Sequence, residues 1–189
     1  MPNKTPMSRF HIHDDLTAPE GSLPILKGAS SAAGQLPNFL GALANSPAAL
    51  RAFVRASGEL RHGSLARATI ERIGLAVAER YGSKPGLHVH MRSSRTAGLG
   101  IDEVAKARAW ESGDAREDAL LKFLHPLLQD PAKAPHHLLE EAKEAGWNDE
   151  QLLEAIAVMS LESFTAMVNL AGEIPVDGSH EETRMLRAA

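Results

Sequence analysis

The sequence predicts an all-α protein. Apolar residues recur at helical spacing in several segments, most clearly at Leu120, Phe123, Leu124, Leu127 and Leu128. No segment of convincing length alternates apolar and polar residues as a half-buried strand does. Aromatic residues make up only 4% of the chain, and runs of β-branched residues are absent. These observations favour helices packed on helices over any fold with a sheet.

Local signals divide the chain into predicted helices. Ser46 followed by Pro47 is typical of a helix start. Ser64 is predicted to cap a helix that runs to Tyr81 and is apolar on more than one face, as buried central helices are. Asn148 and Gln151 have capping-box spacing at the start of the last long helix. Further helices are predicted over residues 23–33, 87–97, 101–110 and 136–145 and from residue 114 onward, with a break over residues 82–86 and an interruption at residues 36–38.

Length and composition predict one soluble helical domain. The 189 residues suit an extended N-terminal segment over residues 1–22, a helical domain over residues 23–177 and a polar tail over residues 178–189. The net charge of −4 argues against a nucleic-acid partner, which requires a basic face. No run approaches the ~20 apolar residues of a membrane span, and no secretory signal is recognised at the N-terminus. We therefore expect a cytoplasmic protein with no membrane or nucleic-acid partner.

The absence of cysteine excludes several kinds of chemistry. The chain contains no cysteine, so disulfides, thiolate metal sites and thiol nucleophiles are all ruled out. His88 and His90 are two residues apart, which would splay them on a helix, so we predict no shared metal.

Candidate chemistry is concentrated between Glu71 and His90. Glu71 interrupts an otherwise apolar helical stretch, where an unpaired carboxylate would be costly. One interpretation is a structural carboxylate paired with a nearby arginine such as Arg67 or Arg72. The other is a carboxylate at a cavity, where it could act as a general base with a raised pKa. Spacing alone leaves both interpretations open.

Several short motifs occur in an order that resembles a known family. Glu71, the segment from Leu75 to Glu79 and His90 stand among them. The others are Leu36-Pro37-Asn38, Ser46-Pro47-Ala48, Gly98-Leu99 and Asn169-Leu170-Ala171-Gly172. Together they resemble the carboxymuconolactone decarboxylase and alkylhydroperoxidase D superfamily over about three quarters of the chain. The resemblance implies an alkylhydroperoxidase D-like helical bundle and a homo-oligomer, a trimer or hexamer.

The resemblance also assigns candidate site residues. The peroxidase branch has a Glu, then Cys-x-x-Cys, then a His four residues after the second Cys. Glu71 and His90 match the Glu and the His, whereas Ser83 and Gly86 stand where the cysteines would be. A thiol peroxidase needs both sulfurs, so alkylhydroperoxidase activity is disfavoured.

The decarboxylase branch of the superfamily works without the cysteine pair or a cofactor on small lactone acids. By that resemblance Glu71 and His90 are the predicted catalytic pair, and Ser83, Lys84, His88 and Arg92 are the predicted substrate-binding residues. The expected ligand is a small carboxylate or lactone, with no cofactor. The alternative is an inactive scaffold, or a small-acid binding protein, that keeps the fold.

Helix geometry predicts that Glu71 and His90, on straight antiparallel helices, lie too far apart along the helix axis to touch. With a break at residues 82–86, Glu71 lies ~16 Å from its helix end, while His90 lies ~6 Å into the next helix. Straight antiparallel packing would then leave a gap of ~10 Å along the axis. We expect the two residues to line one pocket near the break only if the second helix tilts or another group bridges them.

Overall fold

The computed structural model describes residues 8–33 and 36–178, with only the backbone of residues 30–33. Residues 1–7 of the predicted N-terminal segment and residues 179–189 of the predicted tail lie outside the described residues. All secondary-structure elements of the described residues are helices, so the all-α prediction is confirmed. The α-helices are α1 (Leu23–Ala33), α2 (Asn38–Leu43), α3 (Pro47–Arg61), α4 (Arg67–Tyr81), α5 (Lys84–Thr96), α6 (Ile101–Arg108), α7 (Ala115–Gln129), α8 (His136–Glu144) and α9 (Asp149–Ala171), with a 3-10 turn at Pro131–Lys133.

The described residues fall into two compact units. The first contains the residues up to Arg55 and those from Met167 onward. Its two described segments are joined by main-chain contacts, for example the Arg9 amide, which donates to the Gly172 carbonyl at 2.7 Å. The buried hydroxyl of Ser22 donates to the Ala44 carbonyl at 2.9 Å. These bonds pair buried polar groups that would otherwise be costly.

The second unit, Ala56–Ala166, contains the main hydrophobic core. Ile73 and Val77 of α4 are fully buried in it, so the prediction of a buried central helix is correct. Ala76 of the same helix is also fully buried there, and α7, α8 and α9 contribute Leu120, Leu121, Leu124, Ala142 and Ala155. Helix α4 also packs against α5 and α6. It is the element from which the candidate site extends.

Helix ends with local signals lie close to their predicted positions. Asp114 caps α7 by accepting from the amides of Arg116 and Glu117. At the start of α9 the Asn148 amide donates to Gln151 Oε1 at 3.3 Å, and the Gln151 amide donates to Asn148 Oδ1 at 2.9 Å. The predicted capping box is therefore present.

Two predicted helix starts are wrong, whereas the predicted interruption is present at residues 36 and 37. Helix α4 begins at Arg67, not at Ser64, because the hydroxyl and amide of Ser64 both donate to Glu154 of α9, at 3.0 and 2.7 Å. Helix α5 begins at Lys84, three residues before the predicted start, because Ser83 caps it. The interruption predicted at residues 36–38 ends in the short helix α2, whose N-terminus has no side-chain cap to signal it.

Helix α9 is long and apolar enough, by length and composition alone, to cross a membrane. In this fold Leu152, Ala155 and Val158 of α9 are buried in the core of the second unit. Its carboxylate Glu154 holds the loop before α4. One third (33%) of the apolar window is buried, and by this measure α9 departs from the expectation that no run approaches a membrane span.

Candidate functional site

Helices α4 and α5 form an antiparallel hairpin. Gly82 ends α4 with φ of 68°, a left-handed conformation that glycine adopts without strain. A Cβ placed on Gly86 would lie 3.2 Å from the Cβ of Ala78, and a Cβ on Gly74 would overlap the imidazole ring of His90. Residues 86 and 78, and residues 90 and 74, are therefore opposite one another. The absence of a side chain at Gly74 creates the space that the His90 ring occupies.

The hairpin brings Glu71 and His90 together. His90 Nδ1 lies 2.9 Å from Glu71 Oε2. The expected axial gap of ~10 Å was too large because α5 begins at Lys84 rather than residue 87. Counted from the actual helix ends, the offset is about 6 Å, and His90 lies beside Gly74, one turn from Glu71. The two side chains span that distance without help from another subunit.

A third residue, Glu162 of α9, completes the group and was missed from the sequence. Its Oε2 lies 3.1 Å from His90 Nε2, so the ring has a carboxylate at each nitrogen. The three residues are Glu71, His90 and Glu162, and we call them the His90 group. The signal that singled out Glu71, a lone carboxylate in an apolar helix, is also present at Glu162.

The His90 ring is held as an imidazolium. Both of its nitrogens face carboxylate oxygens, which accept hydrogen bonds and do not donate them when ionised, so both nitrogens must carry a proton. Burial by itself would lower the pKa of His90, but the charges and hydrogen bonds of Glu162 and Glu71 raise it to about 10. His90 is therefore a buried, positively charged ring at neutral pH.

Glu71 is ionised and held by several partners. Burial opposes its charge, but hydrogen bonds from His90 and Ser93 lower its pKa below the usual value, with smaller help from Arg67. Ser93 Oγ lies 2.5 Å from Glu71 Oε2, and Arg67 Nε lies 4.0 Å from Oε1. The structure therefore contradicts a raised pKa for Glu71. In this arrangement Glu71 Oε2 accepts a hydrogen bond from His90 Nδ1.

The predicted substrate-binding residues do not join this group within the chain. The Ser83 hydroxyl is fully buried and accepts from the Gly86 amide at 3.3 Å, so it serves as a helix cap. Lys84, His88 and Arg92 are exposed. On a helix of 3.6 residues per turn they lie about 120–160° around α5 from His90. The sequence motif therefore predicted the pair but not the residues around it.

Comparisons with known proteins find a family match over part of the chain and a shared fold over most of it. Residues 47–129 match the model of the carboxymuconolactone decarboxylase family. No curated protein matches the sequence significantly.

Among solved structures, an uncharacterised peroxidase-related protein with an alkylhydroperoxidase core from Ralstonia eutropha JMP134 superposes with a TM-score of 0.80 at 17% identity, covering 92% of this chain and 94% of that one. A peroxidase-related protein from Silicibacter sp. TM1040 gives 0.79 at 19% identity, over 94% and 95% of the two chains.

A third solved structure shows how varied the chemistry on this fold is. The debrominase Bmp8 in complex with 2,3,4-tribromopyrrole gives a TM-score of 0.69 at 17% identity, over 85% of this chain and 87% of that one. These identities establish a shared fold and not a shared activity. The chain therefore shares the alkylhydroperoxidase D-like fold, resembles the carboxymuconolactone decarboxylase family over residues 47–129, and contains no cysteine.

Proposed function

We propose that the protein is a cofactor-free acid–base enzyme that decarboxylates or isomerises a small carboxylic acid or lactone. The observation that carries this proposal is the buried imidazolium of His90, which is held at both nitrogens by carboxylates. Perturbed titratable groups gathered in one place are characteristic of catalytic sites. The family match of residues 47–129 agrees with this class of chemistry.

The groups present suit proton transfer and do not suit thiol chemistry. Decarboxylation or isomerisation of a lactone moves a proton onto one carbon, and isomerisation also takes a proton from another carbon. Glu71 fixes the orientation of His90 through Nδ1, and His90 holds a proton on Nε2. Peroxide reduction through a dithiol is impossible for this chain because it has no cysteine.

Arg67 is the best-placed cation for a carboxylate substrate. Its side chain is 67% exposed and its Nε lies 4.0 Å from Glu71 Oε1. A guanidinium can bind a carboxylate through two hydrogen bonds. We propose that Arg67 takes the role that the sequence assigned to Lys84 and Arg92.

An inactive scaffold is the second candidate function. Its supporting observation is that both nitrogens of His90 are already occupied in a buried group, as in a structural ion pair. Under that alternative the His90 group would stabilise the fold, and a small acid would bind without being changed.

Self-association and location stay proposals. Val89 and Met91 on α5 and Leu153 on α9 are exposed apolar side chains, which would suit an interface in a trimer or hexamer. Light scattering at micromolar concentration tests this, since a monomer mass would count against it. We also propose a cytoplasmic protein that binds neither nucleic acid nor membrane.

Deuterium exchange separates enzyme from scaffold. A panel of small lactones and carboxylic acids is incubated with the protein in D2O, and incorporation at carbon and release of CO2 are followed by NMR. We expect turnover of at least one compound, and a loss of about 100-fold or more in Glu71→Gln and His90→Gln. Glu79→Gln is the matched control, because Glu79 lies on the same helix but pairs with Arg108 at 2.8 Å. No turnover, or equal turnover in all variants, would favour the scaffold.

A further inference from the structure

We infer that Glu162, which no sequence motif marks, is the residue that exchanges a proton with the substrate, while Glu71 and His90 hold it in place. This inference rests on the proposed acid–base function and assigns its terminal residue. The chain of contacts runs from Glu71 Oε2 to His90 Nδ1 at 2.9 Å and from His90 Nε2 to Glu162 Oε2 at 3.1 Å. Glu162 stands at the end of this chain.

Exposure distinguishes the two carboxylates. The side chains of Glu71 and His90 are each 10% exposed, whereas that of Glu162 is 21% exposed. Oε2 of Glu162 accepts from His90, and Oε1 makes no hydrogen bond with any residue in the described part of the chain. Glu162 Oε1 is therefore open to a new hydrogen-bond partner, as neither oxygen of Glu71 is.

The number of partners also distinguishes them. Glu71 accepts hydrogen bonds from His90 and Ser93 and lies near Arg67. Glu162 accepts only from His90 among the residues described. An added proton on Glu71 would disrupt several interactions, whereas on Glu162 it would leave the Glu71–His90 ion pair intact.

Charge determines which member exchanges the proton first. If His90 gave up a proton first, the buried carboxylate of Glu71 and the half-buried carboxylate of Glu162 would face each other with a neutral ring between them, which is costly. If Glu162 takes a proton, the charges of the group change from minus, plus, minus to neutral, plus, minus. The second arrangement keeps one compensated ion pair.

The proposed step balances without an oxidant or a cofactor. The C–H bond of a β,γ-unsaturated lactone breaks, and its proton forms an O–H bond with Glu162 Oε1. The electron pair stays on the substrate as a conjugated enolate. Glu162 then returns the proton to a different carbon, which gives the isomerised lactone and restores the carboxylate. His90 keeps both of its protons throughout.

Helix α9 places Glu162 firmly. Glu154, two turns earlier, accepts hydrogen bonds from the Ser64 and Leu65 amides at 2.7 and 3.1 Å. The helix is therefore tied to the residues before α4 at one point and to α5 at another, which fixes its register. Glu154 supplies a matched control, because it is a carboxylate of the same helix that does not touch His90.

The first test needs no activity. Protein with 15N-labelled histidine is titrated with acetate at constant ionic strength, and the ring signals of His90 are followed. We expect a saturable shift in Glu162→Ala, where acetate can occupy the vacated place beside Nε2, and none in wild type or Glu154→Ala. No saturable shift in Glu162→Ala, or the same shift in all three proteins, would overturn the inference.

Glu162→Gln, which keeps the side-chain volume, serves if the alanine variant does not fold. Its amide should lower the pKa of His90 because one of the two raising charges is lost, and an unchanged His90 pKa would count against the inference.

The second test follows carbon–deuterium exchange with α-angelica lactone as the probe. We expect Glu162→Ala to exchange about 100-fold more slowly than wild type, with little change in the lactone concentration that gives half-maximal rate. Acetate should restore the rate in Glu162→Ala, and formate, a weaker base, should restore less of it. Glu162→Gln should stay slow at every acetate concentration, because the amide fills the place.

The outcomes separate the two proposals. Exchange that persists in Glu162→Ala, or that acetate does not restore, overturns the role of Glu162 and leaves the acid–base function standing. An absence of exchange in wild type with the whole panel of lactones overturns both. A purely structural role for Glu162 would not produce a rescue that depends on the basicity of the added carboxylate.

Discussion

Adjacent residues of α4, Glu71 and Arg72, belong to two buried groups of the same composition, in which two carboxylates share one cation. In the His90 group the cation is an imidazolium. We call the other the Arg72 group, and it consists of Arg72, Glu103 and Glu117. Arg72 Nε lies 2.8 Å from Glu103 Oε1, and Arg72 Nη1 lies 3.7 Å from Glu117 Oε1.

The two groups differ in the proton that each cation carries. The pKa of His90 is raised to about 10, so its proton can leave within an accessible pH range. A guanidinium keeps its protons at any pH that proteins tolerate. The charge of the Arg72 group is accordingly permanent, whereas that of His90 can be titrated. The same electrostatic arrangement can therefore hold a fixed or a titratable charge, and the cation decides which.

The carboxylates of the Arg72 group are held by hydrogen bonds from several residues. Burial would raise the pKa of Glu103, but hydrogen bonds from Ser112, Arg72 and the Gly113 amide lower it to about 2. Burial raises the pKa of Glu117 above its usual value, although Thr69 donates a hydrogen bond to it at 2.7 Å. The network ties α4 to the helices that follow it.

Removing the guanidinium should have the largest effect on stability. Arg72→Met leaves Glu103 and Glu117 buried without their cation, which typically costs about 3–5 kcal/mol. Urea unfolding at pH 7 measures this loss. Arg108→Met is the control, since Arg108 and Glu79 are each 39% exposed and such pairs contribute at most about 1 kcal/mol. Equal losses in the two variants would show that the Arg72 group is not a buried structural unit.

The second-largest expected effect is a loss of stability at alkaline pH, which the His90 group should produce and the Arg72 group should not. The folded pKa of His90 is raised, so its stabilisation is complete below the unfolded pKa of about 6.5 and is lost as pH rises to about 10. One additional bound proton in the folded state gives a slope of at most ~1.4 kcal/mol per pH unit in that range. The charged groups facing His90 are Glu71 and Glu162, with Arg67 beyond Glu71.

Urea unfolding of wild type and His90→Gln from pH 6 to 10 checks this slope. The difference in unfolding free energy between them should shrink as pH rises, because only wild type loses the imidazolium. Arg72→Met should keep the wild-type slope. A difference that stays constant over this range would mean that His90 is not protonated in the folded protein.

The part of the site that the sequence predicted is the part with local signals. Glu71 and His90 are separated by one helix, one turn and part of the next helix, so a motif of fixed spacing records both. Glu162 contacts His90, from which it is separated by 72 positions in sequence. Glu154 contacts Ser64, from which it is separated by 90 positions. Spacing cannot report such contacts, because they depend on how α9 packs on the hairpin.

Helix ends follow the same rule. The cap formed by Asn148 and Gln151 lies within four residues and was predicted. Ser64 has the chemistry of a cap, but its hydroxyl and amide are used by Glu154, and α4 begins three residues later. A long-range carboxylate outweighed the local propensity, which is how tertiary contacts commonly displace helix boundaries.

A methyl group at Gly74 should test the close contact with the His90 ring. Gly74→Ala places a Cβ where the imidazole lies, and overpacking of this kind costs about 1–3 kcal/mol. The ring signals of His90 should shift in NMR spectra, and deuterium exchange should fall. Gly58→Ala in α3 is the control, because nothing lies within 4 Å of its new Cβ. There the substitution should stabilise the helix by about 0.5–1 kcal/mol. A stabilised Gly74→Ala would show that the ring does not rest on the backbone of α4.

The smallest expected effects come from the serine in each group. Ser93 Oγ donates to Glu71 at 2.5 Å, and the hydroxyl of Ser112 donates to Glu103. Each hydroxyl supplies a hydrogen bond to a charged acceptor, so alanine at either position should cost about 1–2 kcal/mol in urea unfolding at pH 7. Both changes should also raise the pKa of the carboxylate concerned, so each variant should lose stability at a higher pH than wild type on acidification.

The Ser93→Ala and Ser112→Ala variants should differ in their rate of deuterium exchange. Glu71 without Ser93 has more freedom to move, so Ser93→Ala should lower the rate of deuterium exchange several-fold while half-saturation changes little. Ser112→Ala should leave that rate unchanged, because Ser112 contacts Glu103 and no member of the His90 group. Parallel assays of the two variants at matched fractions of folded protein provide the comparison. If Ser112→Ala slowed exchange as much as Ser93→Ala did, the two groups would act as one network, and the division between a structural and a reactive side of α4 would be wrong.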